Sequence, residues 1–178
     1  MTAQRLSRGS TVTSRQPGEI RSPAEQEGLT MERILLIQGA NMSYLGQRQP
    51  EIYGSTTAAE LDAMLRAHAR EHAYSLEIFY TNIEGEAINK LYASVIDGVR
   101  GLVMNPAGFS QGGFALRDCI AALPFPYVEV HMTNVEKRGI HSVLAQNAAG
   151  GVYGFGVDSY FLGLEAMLRL LRKPPPRG

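Results

Sequence analysis

Ile34-Leu35-Leu36-Ile37-Gln38-Gly39-Ala40-Asn41 is a short apolar run that stops at a polar, glycine-containing bend. An uninterrupted run of this length predicts a strand covered on both faces, not one alternating between core and water. Similar short runs recur at 76–80, 102–105, 127–131 and 151–155. Helical patterns fall between and after them, over 58–72, 84–95, 113–122 and 159–172. This alternation predicts an α/β, doubly wound fold with a five-stranded parallel sheet. Ligands of such sheets bind beyond the carboxyl ends of the strands. Asn41, Arg48 and Tyr53 follow the first strand, Asn82 the second and Asn105 the third, while His131 ends the fourth.

The chain has 178 residues, 44% hydrophobic and 19% charged, enough for one globular domain with a sizeable core. Lys plus Arg and Asp plus Glu both total 17, and neither sign gathers into a long run. No basic face points to nucleic acid or an anionic membrane, so a small-molecule partner is expected. The single Cys119 excludes an internal disulfide and leaves zinc without its usual cysteine cluster, which suits a reducing cytoplasm. No apolar run approaches the ~20 residues that span a bilayer, and the first residues lack the apolar core of a secretory signal. Residues 1–30 are polar and nearly free of large apolar groups, predicting a disordered tail. The folded domain is expected over 31–172, followed by a proline-rich terminus at 173–178.

Two segments carry recognisable chemistry. Arg48-Gln49-Pro50-Glu51-Ile52-Tyr53-Gly54 places a guanidinium near a phenol. A free phenol titrates near ~10, and a fixed arginine lowers such a value by roughly 1–3 units, which is how a tyrosine becomes a base. Glu129-Val130-His131 puts a carboxylate and an imidazole on one face of a strand, an arrangement that holds a histidine's tautomer and orientation for proton donation. The plainer alternative is a histidine hydrogen-bonded at the sheet edge beside a structural salt bridge. His141 competes for the acid role, and His68 and His72, four apart, read as a solvated helix face without a third metal ligand. The glycine-bearing connection from Asn105 to Gly113 leads into a helix start where free amides favour an anion. It matches neither a dinucleotide fingerprint nor a phosphate-binding loop.

These segments occur in a particular order. Leu35 to Asn41, Leu45 to Gly54, Asn82-Ile83-Glu84-Gly85-Glu86, Asn105-Pro106, Ala115-Leu116-Arg117-Asp118 and Glu129-Val130-His131-Met132-Thr133-Asn134 together resemble the type II 3-dehydroquinate dehydratases across 32–171. The resemblance implies a flavodoxin-like three-layer fold and a cofactor-free, metal-free anti elimination of water from 3-dehydroquinate in the shikimate or quinate pathways. It implies that Tyr53 is the base, that Arg48 favours its phenolate, and that Asn41 positions a water against the developing enolate. His131 is implied as the acid and Glu129 as its orienting carboxylate. Asn105 and the backbone at Met132 and Thr133 are implied to hold the substrate carboxylate. Asp118 is implied to reach a neighbouring subunit's site in a homododecamer of four trimers.

The chain departs from that pattern on the substrate side. Gln111 stands where the family usually has a histidine contacting ring hydroxyls, Gly112-Gly113 replace small hydroxylated residues, and the segment 135–142 is shorter than usual. No residue there matches the family's ring-capping arginine, and Arg138 is not assigned that role. Three readings follow: a dehydroquinate dehydratase, a dehydratase retuned to a related cyclic hydroxy-keto acid, and a non-catalytic oligomeric binding paralogue. A receiver domain lacks its acidic cluster here, and Met42-Ser43-Tyr44 is a poor phosphate loop for a flavodoxin.

Overall fold

The structure is a computed structural model that describes residues 31–47 and 49–172. The expected tail at 1–30, Arg48 and the terminus at 173–178 lie outside the described residues. Five strands, β1 (Arg33–Ala40), β2 (Ser75–Tyr80), β3 (Gly101–Ala107), β4 (Tyr127–His131) and β5 (Gly150–Tyr153), form one sheet in the order β2-β1-β3-β4-β5. Every neighbouring pair is parallel. This is the flavodoxin-like order, with its topological switch between β1 and β3.

Helices α1 (Ala58–Glu71), α2 (Glu84–Ile96), α3 (Phe114–Ala121) and α4 (Asp158–Leu171) cover both faces. Successive residues of β1 show why its apolar run is unbroken. Ile34 and Leu36 pack with Leu61 and Leu65 of α1 and with Tyr160, Leu164 and Met167 of α4. Leu35 and Ile37 pack on the other side with Ala87 and Leu91 of α2 and Leu116 and Ile120 of α3. All four β1 side chains are buried, each worth roughly 1.5–3 kcal/mol relative to exposure.

Helix α1 begins with a capping box: Thr57 Oγ1 accepts from the Glu60 amide at 3.2 Å, and Glu60 Oε2 accepts from the Thr57 amide at 2.8 Å. Helix α2 has Ile83 at its cap and no side-chain bond there. Its Glu84 instead reaches across, Oε1 accepting from the Leu116 amide of α3 at 2.8 Å.

The first and third strands run further than their apolar cores. β1 continues through Gln38, Gly39 and Ala40, and β3 through Asn105, Pro106 and Ala107. Past Met104, β3 pairs with β1 and no longer with β4, so Pro106 falls where one side of the strand needs no donor. Gly39 permits this: a Cβ there would collide with the Pro106 carbonyl. Pro50–Tyr53, read as loop from sequence, forms a single helical turn, whose first position suits proline's fixed φ.

Candidate active site

A pocket of about 170 Å³ opens at the carboxyl ends of β1, β3 and β4, beside the switch point. Its floor comes from β4. Tyr127, Glu129 and His131 alternate along that strand, leave the same face and are buried. His131 Nε2 lies 2.7 Å from Glu129 Oε1. Glu129 Oε2 accepts from the Tyr127 hydroxyl at 2.7 Å and from the Ser142 hydroxyl at 3.1 Å. A carboxylate buried without such donors would be costly. Burial, reinforced by the Glu129 charge, pushes the Tyr127 phenol well above its ordinary range, so it remains a donor. The imidazole is thus engaged through Nε2, and Nδ1 is the nitrogen that Glu129 does not take.

Tyr53 ends the helical turn and stands half-buried in the pocket wall. Its hydroxyl receives a hydrogen bond from Arg138 Nη1 at 3.2 Å, and the same nitrogen donates to Thr133 Oγ1 at 3.0 Å. The Arg138 guanidinium carbon is 5.8 Å from the Tyr53 ring centroid. The guanidinium is thus the phenol's partner, through a charge-assisted hydrogen bond. Sequence reasoning gave that role to Arg48, which lies outside the described residues, and gave Arg138 none.

Asn41 and Asn105 complete the wall. Asn41 adopts a left-handed conformation, φ 73°, which asparagine tolerates, and its amide donates to Asn82 Oδ1 at 2.7 Å. Asn82 therefore shapes the loop without lining the pocket. Asn105 is buried, with Nδ2 donating to the Tyr160 hydroxyl at 2.8 Å and Oδ1 accepting from the Ala107 amide at 3.2 Å. The Tyr160 hydroxyl donates in turn to Gln38 Oε1 at 2.8 Å. These bonds determine which way the Asn105 amide faces. Ala107 has a positive φ of 47°. Its amide is held by Asn105 and its carbonyl by the Ser110 hydroxyl at 2.8 Å, so neighbours sustain the strain.

The anion cradle expected at the start of α3 is partly occupied from within, because the Leu116 amide already serves Glu84. Gln111, Met132 and Thr133 line the pocket, and Glu129 lies beneath it. Asp118, expected at a neighbouring subunit's site, lies outside this pocket: its side chain is 72% exposed and pairs with Arg117 at 2.8 Å. Tyr44, Ser110 and Arg138 line the pocket without having been singled out. His141 is exposed, 3.9 Å from Glu136 and outside the pocket. His68 and His72 are half-buried, contrary to a solvated face. Their rings stack at 4.0 Å, and His68 Nδ1 meets the Tyr74 hydroxyl at 2.9 Å. Among the described residues no group of three or more His, Cys, Asp or Glu side chains is placed to hold a metal. No helix among them is long and apolar enough to cross a membrane.

Comparison with known proteins agrees with this architecture. The Dehydroquinase class II family profile matches residues 32–168. A 3-dehydroquinate dehydratase of Xanthomonas campestris is 38% identical over 146 residues, covering 80% of this chain and 99% of that protein. The crystal structure of the type II dehydroquinase from Butyrivibrio crossotus superposes with a TM-score of 0.75 at 27% identity, covering 78% of this chain and 98% of that one. That of Propionibacterium acnes gives 0.72 at 32% identity, covering 76% and 96%. The strand order, the placement of the pocket and a profile match spanning nearly all of the described residues lead to one assignment: the chain belongs to the class II dehydroquinase family.

Proposed function

We propose that this protein is a carbon–oxygen lyase that converts 3-dehydroquinate to 3-dehydroshikimate by anti elimination of water, without a cofactor. The observation that supports it most is the joint presence, in one pocket, of a phenol hydrogen-bonded by a guanidinium and an imidazole seated on a buried carboxylate.

In this reading the Tyr53 phenolate removes a proton from the carbon next to the ketone, with Arg138 and Arg48 favouring the ionised base. The developing enolate is stabilised by a water that Asn41 positions, a preorganised dipole aimed at transition-state charge. His131 then protonates the departing hydroxyl, which leaves as water, while Glu129 holds the ring. Tyr53 releases its proton to solvent and His131 takes one back, so the cycle closes with no net change in the protein. Asn105 and the backbone of Met132 and Thr133 hold the substrate carboxylate, and Gln111 faces the ring hydroxyls. Asp118, exposed on α3 away from this pocket, reaches a neighbouring subunit's site in a homo-oligomer.

The test is a continuous ultraviolet assay of purified protein given 3-dehydroquinate. The conjugated enone should accumulate at a rate proportional to protein and indifferent to a chelator. A folded protein that forms none overturns the assignment.

A further inference from the structure

The carboxylate beneath the pocket has more partners than its contact with His131 requires. One oxygen of Glu129 faces the imidazole, and the other receives two hydroxyls of separate origin: Tyr127 from the start of β4 and Ser142 from the loop that follows it. Tyr127 is 1% exposed among apolar neighbours including Leu102, Leu116 and Leu144. A phenylalanine would fill that volume with no polar atom to satisfy, and the tyrosine's hydroxyl finds its partner in Glu129. Ser142 is tied on both sides. Its Oγ donates to Glu129 and accepts from the Leu144 amide at 3.2 Å, while the adjacent Val143 amide donates to the Ser110 carbonyl at 2.9 Å. The loop that carries Arg138 to Tyr53 is therefore fastened at its far end to the carboxylate beneath His131.

Resting on the reading of His131 as the acid, we propose that Tyr127 and Ser142 are positioning residues for it, acting through Glu129. By occupying Oε2 they leave only Oε1 to the imidazole and fix the carboxylate's rotation. They also spread its charge over three donors, so its grip on the imidazole proton weakens and the proton is given up more readily. Without the hydroxyls the Glu129–His131 pair would hold that proton more tightly, and the ring would lose its fixed orientation.

The test uses the full chain and two readouts. The midpoint of the His131 ring followed by NMR should be higher in Tyr127→Phe than in the wild type, and should change in the same direction in Ser142→Ala. With 3-dehydroquinate, kcat should fall about tenfold with KM unchanged, and the alkaline limb of the pH profile should move with the NMR midpoint. Ser142→Thr keeps a hydroxyl and should restore the wild-type profile. An unchanged His131 titration in both variants overturns the proposal, as does a lowered melting temperature with kcat and the pH profile intact. The NMR readout does not depend on turnover. Inactive wild-type protein whose His131 responds to Tyr127→Phe would defeat the dehydratase assignment and leave the positioning roles standing.

Discussion

The two halves of the pocket are built in opposite ways. The half that holds the proposed acid is strand: His131 and Glu129 sit two apart on β4, both buried, the histidine 7% exposed, with Tyr127 on the same face. The half that holds the proposed base is loop: Tyr53 ends a single helical turn, and Arg138 reaches it from an exposed turn 85 residues away in sequence. In the acid half, the contacts that orient the reacting group are also contacts of the core. In the base half the hydrogen bond to the phenol comes from the exposed Arg138, and only the Tyr53 ring rests against the core. Damage to the acid half should therefore cost fold and activity together, and damage to the base half activity alone.

The largest separation is expected between Glu129→Ala and Arg138→Ala. Glu129→Ala strips a buried imidazole and two hydroxyls of their acceptor and should lower stability by roughly 3–5 kcal/mol, read by chemical denaturation, besides reducing turnover. Arg138→Ala should leave the denaturation midpoint within error while lowering kcat about tenfold to a hundredfold. Equal stability losses in both would break the contrast. Arg138→Lys sharpens it, since a lysine offers a point charge instead of a fork able to reach Tyr53 and Thr133 together. Partial recovery of kcat is expected, and full recovery would show that charge alone suffices.

A smaller effect is expected at the pocket mouth. Gln111 is exposed, and a Cβ on neighbouring Gly112 would meet nothing within 4 Å, so this corner tolerates exchange. Gln111→His should change kcat/KM for 3-dehydroquinate by less than about tenfold, upward if the ring hydroxyls gain a better partner.

The smallest effect lies away from the site. Burial, and then the neighbouring His72, hold the His68 imidazole below its ordinary titration range. The folded state therefore binds its proton less readily than the unfolded one. Its contribution to stability is full above about pH 6.5, the unfolded value, and is lost as pH falls through the folded one. His68→Phe should flatten the decline in melting temperature on the acid side of neutrality, and an unchanged slope would remove His68 as its source.

The fold was legible because the short apolar runs of β1 to β4 have no reading as amphipathic surface strands, and both faces of β1 are indeed covered. The added lengths of β1 and β3 were not legible. Gln38, Gly39 and Pro106 are poor strand formers that pair because two backbones can close over a missing Cβ. In the site, Glu129 and His131 were readable from a spacing of two on a strand, and Tyr53 from its segment and its place in the family order. Arg138, Tyr160 and Ser142 were not. Their contacts with Tyr53, Asn105 and Glu129 span 85, 55 and 13 residues, distances at which no local period links partners. Asp118 shows the converse: the family motif marks it, yet among the described residues its carboxylate pairs with neighbouring Arg117.

The division of labour between the halves is tested most directly by proton exchange at the carbon next to the ketone, followed by NMR with 3-dehydroquinate in deuterated water. If Tyr53 removes that proton and His131 serves only the departing hydroxyl, His131→Ala should incorporate deuterium there while forming almost no enone, and Tyr53→Phe should do neither. Exchange that persists in Tyr53→Phe would contradict the account.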